Sequence, residues 1–504
     1  MIFNSLAFLV FLPVVIGAYY LLRKARLQNR FLLVASYVFY GWWDWRFLLL
    51  IALSTVVDFW VARRIDARRE AVGPDAEAGA LKKTLRPYLW VSLAVNLGVL
   101  SFFKYFNFFS GSAEDLMLSL GMTPDWPTLG VILPVGISFY TFQTLSYTVD
   151  VYRGTMRAVD DFFDFALYVS FFPQLVAGPI ERAQTLMPQV QQARTFSRSQ
   201  FTDGAWLILL GFVKKVVIAD QLGRIADLGF QTDTPEYGWL GAFLFSACFA
   251  FQVYGDFSGY SDIARGTAKL MGFELMINFG KPFLITNPSA FWRHWHISLS
   301  TWLRDYLYIP LGGSRGGNTA AYRNLTITMI LGGLWHGAGW GFVLWGLYHG
   351  VLLSIHRYWS RNVWAKVPWP QGLRIATGKE QIATRGISNG LSHALLVTGF
   401  FVFFLSHWMV FRSSTLPEGN SQWTYVVNWL GEWFTSAGIE QATPWLPAFL
   451  LFATLAMLAQ WKDEAMEHFS TWTPARQGLA IAAALLTIAV FGVFEGTEFF
   501  YFQF

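Results

Sequence analysis

Charge is scarce in this 504-residue chain: only 14% of its residues are Asp, Glu, Lys or Arg, against roughly 25% in an ordinary soluble domain. That shortage excludes a fold that spends its length on one large water-exposed surface. Cysteine is nearly absent. The single residue, Cys248, excludes a disulfide framework and a thiolate metal cluster and reads as a small buried apolar side chain. There is no P-loop, no G-x-G-x-x-G and no H-E-x-x-H. "GGSRG" (312–316) matches G-x-S-x-G only formally, without the strand before and the helix after that a nucleophile elbow requires. Tandem repeats and low-complexity tracts are missing too.

What is present is apolar: 54% of the residues are hydrophobic and 18% aromatic. Several stretches reach or approach the ~20 apolar residues that cross a bilayer, and we read an all-α polytopic integral membrane protein with about ten to twelve spans or half-spans. The first run, "MIFNSLAFLVFLPVVIGAYYLL", lacks a basic n-region and a small-residue cleavage site, so it reads as a span and not as a removed leader. The net charge of +5 sits between apolar runs and forms no interleaved basic patch, which points to the lipid bilayer and not to nucleic acid as the partner.

Basic loops orient the chain. "RKARLQNR" (23–30), "ARRIDARRE…LKKTLR" (62–86) and the 361–390 segment, with five basic residues and one acidic, belong on the cytoplasmic side. The tip "GWWDWR" (41–46), the acidic stretch 111–128 and the 412–445 segment then fall outside, and span parity puts both termini there. In the middle of the chain, Pro134, Gly136, Pro173, Gly178, Pro179, Pro282 and Pro288 interrupt the hydropathy. Broken helices at membrane depth survive only where protein or a cavity shields them, so re-entrant segments around a site are expected. One domain spans 1–504, with N-terminal spans in 1–127, a catalytic core in 128–358, and C-terminal spans and an outer-face tail in 359–504.

Histidines carry the chemistry. "GGLWHGAGWGFVLWGLYHG" (332–350) places His336 and His349 among glycine, tryptophan and aliphatic residues. A span that begins near Arg323 reaches His336 after about 20 Å of helix, close to mid-membrane, where an ionisable group is a functional-site candidate. A neutral imidazole there is a proton acceptor. The glycines around it read either as the walls of a passage or as close helix packing. His296 is the second candidate, at the cytoplasmic mouth beside Trp295 and near Asp305. His294 alternates with it, but two histidines do not fill a metal site. His349, on the way to the opposite interface, reads as structural. Asp256 and Asp262, in "YGDFSGYSDIARG", either orient an imidazole, pair with Arg265 or belong to helix ends.

Taken in order, "PVGISFYTFQTLSYTVDVYRG" (134–154), "FFPQLVAGPIER" (171–182), "YGDFSGYSDIA" (254–264), "FWRHWHISLSTWLRDYLYIPLGG" (291–313), "LGGLWHG" (331–337) and the terminal "FFYFQF" resemble the membrane-bound O-acyltransferases, nearest to the bacterial polysaccharide O-acetylation branch. The resemblance implies a ring of helices around a central tunnel, His336 as the catalytic histidine and His296 as the second functional one. It implies a cytoplasmic thioester donor, acetyl-CoA or an acylated carrier, with no tightly bound cofactor. A bacterial inner-membrane location and a periplasmic esterase-like acetyltransferase partner follow from it. His294 stands where an arginine is expected. Tyr501 in the tail reads either as an aromatic anchor or as an acyl acceptor. The alternatives are a D-alanyl or other acyl transferase of the same family and, from other classes, a proton-coupled transporter or channel, or a haem or metal carrier.

Overall fold

The structure, a computed structural model, describes residues 1–72, 78–123, 129–230, 236–362, 387–414, 422–466, 468–494 and 499. Every regular element among them is helical. Five helical stretches are long and apolar enough to cross a bilayer: Ala25–Val72, Gly79–Ser119, Gly238–Leu270, Ile439–Gln460 and Pro474–Phe491, with shorter apolar helices at Leu6–Leu21 and Val397–Ser413. The chain is a multi-pass membrane protein, since no water-exposed fold leaves so many apolar helices uncovered. On Pro474–Phe491 only Ala484 is buried.

Two compact units emerge: Met1–Leu209 with Tyr260–Met276 and Phe469–Trp472, and Leu210–Gly259 with Ile277–His468 and Thr473–Phe504. In the first, helices Ala25–Asp44 and Leu48–Val72 meet at a short 3-10 turn, Trp45–Phe47, where Asp44 accepts from the Arg46 amide and Trp42, Trp43 and Trp45 are exposed. This is the tip expected from "GWWDWR". The interior holds two polar knots. Asp58 is buried and accepts from Ser92, from Asn96 at 2.8 Å and from Thr148 at 3.0 Å, which joins helices Leu48–Val72, Ala78–Leu100 and Ile137–Arg153. Arg194 donates to Tyr19 Oη at 2.8 Å, Asn29 Oδ1 at 2.6 Å and the Val190 carbonyl at 2.7 Å. Buried polar groups persist because they are hydrogen-bonded.

The proline- and glycine-broken middle is indeed built from short pieces: Phe162–Ser170, Phe172–Leu175 and Ala183–Gln191 follow Ile137–Arg153. Residues 165–181 are all buried in protein, the condition under which interrupted backbone is tolerated at membrane depth. Gly136 caps Ile137–Arg153 at φ 79°, and a Cβ there would lie 2.7 Å from the Leu175 carbonyl.

The second unit centres on a helical hairpin, Gly317–His336 and Trp340–Asn362. A sequence reading that runs one span through His336 toward His349 is corrected here: the chain reverses at 337–339. The two helices lie so close that a Cβ on Gly346 would run into the Met329 carbonyl, and one on Gly350 would come within 2.7 Å of Thr326 Cα. A Cβ on Gly333 would run into the Phe342 carbonyl, and one on Gly337 into the Phe342 ring. Of the two readings of these glycines, close packing holds at Gly333, Gly337, Gly346 and Gly350.

Gly346→Val should therefore force the hairpin apart and destabilise the protein by about 1–3 kcal/mol, the usual scale of overpacking. Gly399→Ala, whose new methyl meets nothing within 4 Å, should leave the thermal midpoint in detergent unchanged. Equal midpoints for the two variants would contradict the packing.

Candidate active site

His336 closes the first helix of the hairpin, with Gly337 as its extended C-cap. Its ring is 5% exposed and stands among aromatic faces: Trp335 and Trp345 at 5.1 Å between centroids, and Phe411 at 5.6 Å. The hairpin turn and the helix Ile387–Ser413, which carries Phe411, thus form the wall around it. The edge-on geometry of these contacts suits aromatic quadrupoles.

His296 is not at a mouth. It is fully buried, packed on Phe257 at 4.7 Å and Trp335 at 5.6 Å, and its ring centroid is 6.4 Å from that of His336. Its backbone explains how it gets there. His296 is the one non-glycine residue with positive φ among the described residues (φ 44°, ψ 57°), a conformation uncommon outside glycine and asparagine and one that persists where surrounding structure enforces it. Asn278 supplies that enforcement: its carbonyl accepts from Ile297 N at 2.9 Å, and its side chain accepts from Ser298 Oγ at 2.9 Å. His296 then caps Ile297–Leu303, with Leu299 N donating to Nδ1 at 3.4 Å. An acceptor Nδ1 puts the hydrogen of the neutral ring on Nε2.

The other sequence candidates are placed as follows. Asp305 pairs with its neighbour Arg304 at 2.7 Å, on the exposed side of the π-turn Arg304–Tyr308. Asp262 pairs with Arg265 at 3.8 Å. Asp256, inside the long helix Gly238–Leu270, holds the buried Lys215 together with Asp220, at 2.8 and 2.9 Å. His294 turns Nδ1 onto the carbonyl of Ala290 at 2.9 Å and fills the space over Gly280. No group of three or more His, Cys, Asp or Glu side chains fit to hold a metal occurs among the described residues. Tyr501 lies outside the described residues. Phe499, two residues before it, is fully buried, with Lys215 Nζ 4.6 Å from its ring centre.

Sequence reasoning missed Lys215 and His407. "VKKVVIAD" (213–220) sets two lysines in an apolar run, a signal that was available. His407 is fully buried beside His349, ring centroids 4.8 Å apart, and its position follows only from helix packing.

A helical membrane chain that encloses two imidazoles fits a membrane acyltransferase. The chain belongs to the membrane-bound O-acyltransferase family, whose model matches residues 157–369. It is 46% identical to the probable alginate O-acetylase AlgI of Pseudomonas aeruginosa over 370 residues, 73% of this chain and 68% of the relative. To the protein of the same name from Pseudomonas syringae pv. tomato it is 40% identical over 90% of this chain and 81% of the relative. A peptidoglycan O-acetyltransferase of Helicobacter pylori is 37% identical over 71% of each chain.

The left-handed conformation and the cap make His296 separable into two roles. His296→Asn keeps a side chain suited to both, whereas His296→Ala loses the cap and strains the backbone. Thermal unfolding should find the alanine variant less stable by about 1–2 kcal/mol, while acetyl transfer falls in both. An alanine variant as stable as the asparagine variant would overturn this reading of the cap.

Proposed function

We propose that the protein moves acetyl groups from a cytoplasmic thioester, acetyl-CoA or an acylated carrier, toward an exported polysaccharide of the alginate or cellulose kind, with His336 as general base. The enclosed His336–His296 pair is the observation that carries this reading, and the names of the relatives support its acetyl and polysaccharide parts.

The chemistry is a single displacement. His336 takes the proton of the acceptor hydroxyl. The oxygen attacks the thioester carbonyl, and the tetrahedral intermediate collapses with loss of thiolate, which recovers the proton. His296 stands 6.4 Å from His336 between ring centroids and, donating from Nε2, steadies the charge that develops on the thioester's carbonyl oxygen while His336 holds the acceptor's proton. The aromatic wall keeps water from competing for the acyl group.

In this reading the protein sits in the bacterial inner membrane with both termini outside, and a periplasmic esterase-like acetyltransferase receives the group. Tyr501 is the candidate acceptor at the tail. The burial of Phe499, two residues earlier, supports this candidacy.

His336→Ala should lower acetyl transfer by about 10²–10⁴-fold, the usual contribution of a general base, while the purified protein keeps its thermal midpoint. Undiminished acetylation would refute the assignment. Tyr501→Phe keeps the aromatic ring and removes the hydroxyl. Arrest of acetyl delivery to the outer face is expected, and normal delivery would exclude the relay.

A further inference from the structure

In the first unit, three helices each turn two polar side chains toward one point. Ser54 and Asp58 lie on Leu48–Val72, Ser92 and Asn96 on Ala78–Leu100, and Thr144 and Thr148 on Ile137–Arg153. Each pair is spaced i, i+4, which puts both members on one helix face. All six side chains are buried. Besides the bonds to Asp58 described above, Ser54 Oγ donates to Asn96 Oδ1 at 2.7 Å and lies 3.3 Å from Thr144 Oγ1, which is itself 3.3 Å from Asn96 Oδ1. Asn96 Nδ2 donates to the Ser92 carbonyl at 3.0 Å as well as to Asp58, so the amide is held with Oδ1 toward the two hydroxyls.

This knot carries one negative charge and no positive one. Every group that bonds the Asp58 carboxylate is a neutral hydroxyl or amide, and among the described residues no lysine, arginine or histidine pairs with it. Asp58 stands about 15 Å into its helix at ~1.5 Å per residue, a depth at which an unbalanced carboxylate is costly. Hydroxyl and amide oxygens keep lone pairs beyond the bonds they make, and hard cations are bound by such oxygens together with a carboxylate. A single carboxylate balances a monovalent ion and not a divalent one. The short oxygen spacings suit a small ion, sodium rather than potassium, because selectivity follows cage size and ligand number. A proton on Asp58 would balance the charge as well, but it gives no role to the triangle of oxygens formed by Ser54, Asn96 and Thr144.

We propose that Asp58 and the five side chains around it form a sodium site that clamps Leu48–Val72, Ala78–Leu100 and Ile137–Arg153 together. Asp66, further along the helix of Asp58, marks the side from which the ion enters. Its Oδ2 accepts from Arg157 Nε at 3.1 Å and from Ala158 N at 3.2 Å, whereas its buried Oδ1 has no hydrogen-bond partner. Tyr147 is fully buried, its Oη accepts from Val159 N at 2.9 Å, and the charges of Asp58, Asp66 and Arg63 all act on it. The two carboxylates and the phenol oxygen give a cation successive oxygens on the way in.

The test uses the full-length protein in nanodiscs of zwitterionic lipid, with sodium varied against choline at constant ionic strength. Equilibrium dialysis with radioactive sodium should find one ion per chain, and the thermal midpoint should climb with sodium by several degrees, as it does for any ligand that binds the folded state alone. Potassium should need at least about tenfold higher concentration for the same climb. Asp58→Asn keeps the shape and removes the charge; it should bind no sodium and show a flat midpoint. Thr148→Val keeps both shape and charge, and reads the site even if Asp58→Asn does not fold. It should need at least about tenfold more sodium, since even an outer-shell partner is worth that much to a metal site. Absence of bound sodium in the wild type would overturn the site, as would sodium binding unchanged in either variant. A midpoint that follows pH and ignores sodium would mark Asp58 as a buried acid and overturn it too.

Discussion

A polar ring taken out of water must be held by something other than water, and the second unit is arranged around that demand at positions 296 and 336. The glycine-lined hairpin lets two helices approach almost to backbone contact and ends the first of them at His336. The left-handed His296 is then presented to it across 6.4 Å by a loop residue, Asn278, and by the helix that His296 itself caps. Neither imidazole owes its position to a metal-ligand pattern or to a neighbour in sequence. Both are set by backbone geometry, and the aromatic rings around them fix the orientation of the rings.

That dependence explains what could be read in advance. His336 is legible because an imidazole amid glycine, tryptophan and leucine is conspicuous, and its neighbours recur as a motif. The partnership with His296 is not legible, since forty residues separate the two and the decisive feature is a positive φ at a histidine, which no composition rule anticipates. The reversal at 337–339 escaped for a related reason: an apolar pattern that continues across "HGAGW" resembles one span, and only the near-contact of Gly333, Gly346 and Gly350 with backbone across the hairpin reveals two antiparallel helices. The helical, membrane-spanning character of the chain was clear from composition alone, because it depends on sums over many residues and not on one dihedral angle.

Buried charge is handled in two ways. Asp58 is surrounded by neutral donors from two neighbouring helices, so its removal would loosen a packing node without freeing an opposite charge. Lys215 lies between two carboxylates and against the ring of Phe499, where loss of the lysine would leave both carboxylates without that cation in an apolar setting. Backbone bonds reinforce that second arrangement: Val493 donates to the Val216 carbonyl at 2.9 Å, and Gln221 Nε2 to the Phe491 carbonyl at 2.7 Å. Phe491 and Val493 are thereby tied to the π-helix Val213–Ala219 and the turn that follows it.

The most direct measurement is an experimental structure of the wild-type protein with a non-transferable thioether analogue of acetyl-CoA bound. The account predicts the acyl carbonyl between the two imidazoles, with room for an acceptor oxygen at about 3–3.5 Å from its carbon and within hydrogen-bond reach of His336. An acyl group seated away from His336, with that ring still walled in by Trp335, Trp345 and Phe411, would contradict it.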